Sequence, residues 1–561
     1  MSPALAALLI AAAPAGPRPA SVTPAERSAA ALIRPEALRA RVGFLASDLL
    51  EGRGPASRGD RLAQAYVASQ MEAAGLEPGA PGGGWLQTLD IVGVTSTAPD
   101  RVRFRKGRDE VELRRHEDFI AYSGAEAPRV GVEDAEVVFV GYGITAPEYS
   151  WDDYKGTDVR GKVLLIMNND PESDPALFQG KTRLYYGRWD YKYEEAARHG
   201  AAGAIIIHST PSAAYPWQVV QSSWSGEQFA LPDDATGEVR IKAWATEEAS
   251  RRIVGLGGQD LDALRAAAER RDFRPVPLGV SLSLSLENQV TRKQTANVMG
   301  RIPGRDPALA GEAVIFTAHH DHLGVKEGAR PGEDAIYNGA LDNASGVAAM
   351  LSIAEAMKAL RQPPRRTVYF AAVAAEEQGL LGSRYLAAHP PVHPGRIAAN
   401  INIDGIGIWG RSRDVVMIGL GKSNLDDWVR GLAAMQGRVV IGDAFADKGS
   451  FYRSDQFSFA KIGVPAAYLD AGVEIPGKPE GWGRARQEAF DARDYHQPSD
   501  ELGPDWDFSG AVEDARLLFY LGTKVANASR MPAWKPGDEF EAARKKAIAE
   551  AETAKASPAR P

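Results

Sequence analysis

The sequence predicts an α/β fold: a mainly parallel central sheet with a second, β-rich block inserted into it. Three observations carry this. From about Ala296 onward, short apolar runs that read as buried strands alternate with helical stretches, the rhythm of a parallel sheet covered by helices. Between about Ala135 and Leu286 that rhythm gives way to short β-rich runs separated by Gly, Asp and Pro turns. Ahead of both, apolar residues recur at helical spacing through Leu32, Leu38, Val42 and Leu45, and again from Leu62 through Tyr66 and Met71 to Leu76.

Five segments follow in order. Residues 1–20 contain an apolar run from Ala4 through Leu8, Leu9 and Ile10 to Ala13, too short to span a bilayer. With Ala13-Pro14-Ala15 behind it as a cleavage site, the run reads as a signal peptide, although no side chain ahead of it is positively charged. The expected location is therefore periplasmic or secreted. Residues 21–130 form the N-terminal part of the main domain, and residues 131–290 the inserted block. Within the block the expected strands are Val137–Val140, Val163–Ile166 and Ala204–Ile207, with a helix from Tyr191 to Arg198 stopping at Gly200. Residues 291–530 carry the strands Ala313–Ala318, Thr367–Ala374, Ala399–Ile403 and Val464–Leu469, with a helix from about Gly346 to Leu360. Residues 531–561 are an Ala/Glu/Lys-rich tail whose charges suit a solvated helix face.

Composition narrows the chemistry. At 561 residues, 44% hydrophobic and 25% charged, the chain is an ordinary globular protein, long enough for several domains. A net charge of −8 leaves no basic excess to neutralise phosphates, which disfavours nucleic acid as a partner. No membrane span is expected. The chain has no cysteine, which removes thiolate catalysis, disulfides and Cys-ligated metals. Any metal must rest on His, Asp and Glu.

Open α/β sheets bind ligands at the carboxyl ends of their strands. Polar residues gather there. His319-His320-Asp321-His322 follows Ala313–Ala318, Glu376-Glu377 follows Thr367–Ala374, Asp404 follows Ala399–Ile403, and Asp342-Asn343 opens the intervening helix. Three of only nine histidines fall within four residues. If strand alternation persists, His319 and Asp321 face one side, where Asp321 can buttress the imidazole, and His320 and His322 face the other. Blander readings exist for each: a solvated loop for the histidines, a helix N-cap for Asp342, and a helix-dipole partner for Glu376-Glu377. The functional alternative is metal-assisted hydrolysis, in which one glutamate binds metal and its neighbour takes a proton from water. His496 sits in the polar loop Asp494-Tyr495-His496-Gln497-Pro498-Ser499-Asp500.

The order His-x-Asp, Asp-Asn-Ala-Ser-Gly, Ala-Glu-Glu-Gln-Gly-Leu-Leu-Gly-Ser, Asn-x-Asp and Tyr-His-x-Pro-Ser-Asp resembles the M28 family of di-zinc peptidases, which includes many aminopeptidases. The stretch Phe44–Asp48 to Glu51-Gly52-Arg53 resembles it too, so roughly residues 30–525 are covered. Trp151–Gly156 and Val159–Val163 resemble the protease-associated (PA) domain that many members carry as an insertion. The resemblance implies a phosphorylase/hydrolase-like zinc peptidase domain and two Zn2+ ions per chain. It implies that His319 and Asp404 bind one ion, that Glu377 and His496 bind the other, and that Asp342 bridges them. It further implies Glu376 as general base, Asp321 as the group orienting His319, and Tyr495 as an oxyanion stabiliser. Peptides are the implied substrates. Where the family often shows Ser-Asp-His, this chain has Ser454-Asp455-Gln456, a departure at the substrate-pocket wall.

The leading functional expectation is an aminopeptidase. A carboxypeptidase of the same fold would need arginines facing the site, for which Arg183, Arg188 and Arg453 are available. A glutaminyl cyclase-like enzyme would use one zinc, and a receptor-like binding protein none of the catalysis. Mixed His/carboxylate ligands also suit manganese or cobalt.

Overall fold

The computed structural model describes residues 21–175, 177–213, 215–224, 226–232, 239–326 and 328–556, so the expected signal peptide lies outside the described residues. Its spine is one 27-residue strand, Val276–Ile302. In the first half Leu278, Val280, Leu282, Leu284 and Leu286 are buried while Gly279 and the serines between them face out, the period-two pattern of a half-covered strand. From Thr295 to Gly300 both faces are buried. The first half pairs antiparallel with Arg129–Phe139 and Arg101–Lys106, the second with Leu86–Thr97 and Thr367–Val373. The strand runs unbroken through residue 290, so the inserted block and the main domain share one continuous sheet.

Beyond this strand the sheet continues in the order Thr367–Val373, Ala313–His319, Ile397–Asn402, Ala466–Asp470, with each of these neighbours parallel. Asp414–Ile418 closes the series antiparallel to Ala466–Asp470 and carries Val439–Gly442 parallel on its far side. The α/β class with a mostly parallel central sheet is thus as expected. Register aligns the strand ends: His319 lies opposite Val373, and Thr317 opposite Asn402. Residues just past those ends, at 319–322, 376–377 and 404, therefore meet on one edge of the sheet.

Helix Gly346–Lys358 is buried on nearly every side, as an apolar helix between a sheet and other helices must be. It packs against Pro35–Leu45 and Ser509–Asn527. In the inserted block Arg129–Phe139, Val163–Met167, Gly203–His208 and Ile241–Thr246 run parallel in that order, and Phe119–Ser123, which lies ahead of the expected boundary at residue 131, joins them antiparallel to Ile241–Thr246. The C-terminal segment is more than a solvated tail. Trp534 Nε1 donates to the Gly463 carbonyl at 3.0 Å, Lys422 reaches Asp538 and Glu539 at 3.2 and 2.7 Å, and Ala547 and Ala551 are buried along helix Glu541–Ala556. Alanines four apart give that helix an apolar stripe despite its charges, and Lys545 and Lys546 point to water. Among the described residues no helix is long and apolar enough to cross a membrane.

Candidate metal centre

The loop that opens helix Gly346–Lys358 sets the geometry. Asp342 does not cap the helix, whose N-cap is Ser345; Asn343 takes the first helical amide instead, its Oδ1 accepting from Gly346 N at 2.9 Å and from Gly405 N at 3.0 Å while its Nδ2 donates to Ile403 O at 2.9 Å. A Cβ at residue 346 would lie 2.1 Å from Asn343 Oδ1, which explains the glycine there. Asn343 thus ties the Asp342 loop to the strand end bearing Asp404 and leaves the Asp342 carboxylate free. Asp500, buried at the end of the Tyr-His-x-Pro-Ser-Asp motif, holds the loop from the other side. Its carboxylate accepts from Leu341 N at 2.9 Å and Asp342 N at 3.1 Å.

Freed in this way, Asp342 faces two histidines with two different oxygens. Its Oδ1 is 3.1 Å from His319 Nε2, and its Oδ2 is 3.3 Å from His496 Nε2. Asp404 Oδ1 lies 3.2 Å from the same His319 nitrogen, and Glu377 Oε2 lies 3.0 Å from the same His496 nitrogen. The five residues expected as ligands therefore form two donor sets sharing Asp342. His496 Nε2 is buried and lacks a well-directed hydrogen bond although two carboxylate oxygens surround it. Converging acceptor oxygens and ring nitrogens with too few protons between them are the donor set a divalent cation satisfies. Ligand atoms of His319, Asp342 and Asp404 all lie within 4.8 Å of one another, as do those of His322, Asp342 and Glu377.

Electrostatics agree. Burial pushes Asp342 up, but hydrogen bonds from His319 and His496 outweigh it and hold the carboxyl well below its ordinary range. Glu377 is likewise brought down to about 2 against its burial, chiefly by His496. Glu376 differs. Burial drives it well above the usual glutamate value, His319 opposes, and the neighbouring carboxylates Glu377, Asp404 and Asp455 push it further up. Among the described residues the Glu376 carboxylate accepts no hydrogen bond.

Other expected residues have their own contacts. Asp321 is fully buried, and its carboxylate accepts from the backbone amides of Glu376 and Glu377 at 3.1 and 3.4 Å. The His319 ring instead has the Asp321 carbonyl oxygen 3.3 Å from Nδ1, with the carboxylate at 3.8 Å. Tyr495 stacks on His496, ring centroids 3.9 Å apart, at the solvent side. Ser454 Oγ donates to Asp404 Oδ2 at 2.5 Å.

Sequence reasoning missed two residues. His320 does face away, onto Asp60, but His322 returns to the site with Nδ1 2.6 Å from Glu377 Oε1. The strand ends at His319, so alternation stops governing direction three residues later. Arg53, from the Glu51-Gly52-Arg53 stretch, is buried behind the centre and donates to the carbonyls of His320, Leu45, Asn338 and Gly339 at 2.6–2.9 Å. Burial lowers its pKa to about 10 while Asp321, Asp500, Asp342 and Glu377 oppose the shift, so it supplies positive charge beneath an acidic site.

Residues 297–519 match the Peptidase family M28 model. Aminopeptidase YwaD of Bacillus subtilis is 24% identical over 369 residues, 64% of this chain and 62% of that protein. Leupeptin-inactivating enzyme 1 of Streptomyces exfoliatus is 27% identical over 217 residues, 37% of this chain and 43% of that protein. The chain thus spans about three fifths of the first relative and less than half of the second. Among solved structures, an aminopeptidase from Aneurinibacillus sp. strain AM-1 has the same fold, with a TM-score of 0.50 and 20% identity over 90% of this chain and 97% of that one. Residues 297–519 are thus similar in sequence to peptidase family M28, and the fold and the donor sets agree with that match.

Proposed function

We propose that the chain is a zinc-dependent aminopeptidase that binds two zinc ions and removes N-terminal residues from peptides. The observation that carries this reading is Asp342, whose two oxygens face His319 and His496 separately, each histidine also meeting a second carboxylate. His319 and Asp404 would hold one ion, Glu377 and His496 the other, and Asp342 both. His nitrogens mixed with carboxylates fit zinc. The names of the relatives, both enzymes acting on peptides or peptide-like compounds, support the substrate class.

Bound zinc supplies Lewis acidity, lowering the pKa of a water and polarising a carbonyl. Glu376, next to the ligands and with a carboxylate that accepts no hydrogen bond among the described residues, takes the proton from the attacking water and passes it to the leaving amine. Asp321 fixes the backbone of the Glu376-Glu377 turn and so aims both side chains. Tyr495, stacked on His496, would donate to the developing oxyanion. The apolar N-terminal run supports export, and the inserted block is read as a PA domain.

The test is mass spectrometry of free, N-acetylated and C-amidated short peptides incubated with the purified protein, with and without chelator and added zinc, alongside metal analysis. Loss of N-terminal residues that acetylation and chelation block, with two zinc ions per chain, is the expected result. Removal of C-terminal residues blocked by amidation would make it a carboxypeptidase. No cleavage with any metal would overturn the enzymatic reading.

A further inference from the structure

The match to peptidase family M28 stops at residue 519, yet the chain beyond it is tied closely to the domain that carries the metal ligands. Ala533 N donates to Asn424 Oδ1 at 3.0 Å, Asn424 N to Ala533 O at 3.1 Å, and Lys535 N to Lys422 O at 2.8 Å. With Trp534 also fixed on Gly463, this run brings Asp538 and Glu539 onto a buried cation. Lys422 Nζ lies 2.7 Å from Glu539 Oε1 and 3.2 Å from Asp538 Oδ2, and 5.2–5.8 Å from the ring centroids of Phe451, Tyr452 and Phe540. The same Glu539 oxygen accepts from the hydroxyl of the buried Tyr452 at 2.6 Å. An interior ammonium and phenol hydroxyl are costly without acceptors, so Glu539 fixes where Tyr452 can sit.

Tyr452 belongs to the turn 451–456, which reaches the metal centre. Ser454 Oγ, two residues on, accepts from Asn402 Nδ2 at 2.7 Å and donates to Asp404 Oδ2 at 2.5 Å. Gln456 closes the turn: its Nε2 donates to Phe451 O at 2.7 Å, and its Oε1 accepts from Asn402 Nδ2 at 2.9 Å. The Phe451 ring is seated against Gly419, where any Cβ would collide with it. Asn402 thus holds the turn to the strand end that bears Asp404, and Glu539 holds it to the C-terminal segment. With Asp404 Oδ2 committed to Ser454, Oδ1, 3.2 Å from His319 Nε2, is the oxygen left for an ion.

Resting on the two-zinc aminopeptidase reading above, we propose that Glu539 is a positioning residue for the metal centre. Through Tyr452 it keeps the turn 451–456 where Ser454 can hold Asp404. It therefore tunes the ion at His319 and Asp404 and not the ion at Glu377 and His496. Groups that hydrogen-bond a ligating carboxylate orient it, and losing one costs about 10–100-fold in metal affinity.

The experiment is a competitive zinc titration of the full chain against a chromophoric chelator. Wild type is compared with Glu539→Ala, Glu539→Gln, Tyr452→Phe, Ser454→Ala and the double variant Ser454→Ala/Glu539→Ala. Glu539→Ala should weaken one of the two ions about tenfold, the lower end of that range, and leave the other unchanged. Tyr452→Phe, which keeps the ring, should weaken the same ion. Glu539→Gln, which keeps an acceptor oxygen for Tyr452, should restore most of the affinity. Because the effect runs through Ser454, the double variant should bind no more weakly than Ser454→Ala alone. Lys535→Ala cuts the neighbouring ion pair with Asp426 without touching Tyr452, and should leave both affinities unchanged.

Equal weakening of both ions, no weakening, additive losses in the double variant, or a loss from Lys535→Ala as large as that from Glu539→Ala each overturn the proposal. If Glu539→Ala does not fold, Tyr452→Phe and its combination with Ser454→Ala decide by the same criteria. A wild type that binds two ions yet cleaves no free N-terminus would overturn the aminopeptidase reading and leave the role of Glu539 standing. One that binds fewer than two ions overturns the proposal together with the two-zinc reading.

Discussion

His319 and His320 are consecutive residues at the end of one strand, both buried and both against aspartate, yet they belong to different kinds of site. His320 Nε2 meets Asp60 Oδ1 at 2.9 Å. Every oxygen of that aspartate is then filled: Gln64 donates to Oδ1 at 2.9 Å, and Thr295 Oγ1 and Ala56 N donate to Oδ2 at 2.7 and 2.8 Å. On the opposite face His319 meets Oδ1 of two aspartates at 3.1 and 3.2 Å, and among the described residues no hydroxyl or amide donates to these two oxygens, Ser454 being on Oδ2 of Asp404. A buried carboxylate surrounded by N–H and O–H donors is a strut. Carboxylates that face one another across imidazoles, short of protons, form a receptacle for a cation.

Substitutions on the two faces should separate these roles. The largest effect is expected for Asp342→Ala, which removes the oxygen shared by both donor sets; bound zinc and turnover should fall together, as read by metal analysis beside activity. Retained zinc stoichiometry would break the bridging assignment. Glu376→Ala should lower kcat by about 10²–10⁴-fold, the range for a lost general base, with zinc content unchanged. If zinc falls in step with activity, Glu376 is a ligand instead.

Asp60→Ala strands His320 in the core without its partner and should cost about 3–5 kcal/mol, seen as a lower denaturant midpoint with zinc stoichiometry preserved. Loss of zinc with little loss of stability would erase the contrast between the faces. The smallest effect concerns pH in the metal-free protein. Against its burial, His496 is raised to about 10 by Glu377 and Asp342, so its contribution is complete below pH 6.5 and lost as pH rises through about 10. Glu377, lowered to about 2, contributes fully above pH 4.5 and loses this as pH falls through about 2. Chelated protein should therefore be steadiest between about pH 4.5 and 6.5 in thermal melts. Zinc should flatten the alkaline side, because the metal needs His496 unprotonated. A chelated protein that gains stability between pH 6.5 and 10 would contradict the pairing.

Much of the fold was legible because burial repeats along the chain. Ala313–His319 and Thr367–Val373 match their expected strands to within a residue, since runs of β-branched and aromatic residues have few other homes. The strand Val276–Ile302 was harder to see as one element: its halves alternate differently, because one is covered on a single face and the other on both. The docked tail was hidden by its charges, which outnumber the alanines that pack. At the site, residue types and order pointed to His319, Asp342, Glu376, Glu377, Asp404 and His496. His322 was misdirected because strand periodicity was extended past the strand.

The sequence by itself determined the α/β class, the strand ends at which acid and imidazole gather, and a ligand set limited to His, Asp and Glu by the absence of cysteine. Those follow from local periodicity and side-chain chemistry, which neighbours in the chain already specify. Tertiary structure decided which of two adjacent histidines is a strut, which of Asp342 and Asn343 accepts from the first helical amide, and that Arg183 donates to the distant Ala446 carbonyl. Each of these depends on partners brought by distant strands and loops, and whether a buried charge is satisfied is a property of the assembled shell around it.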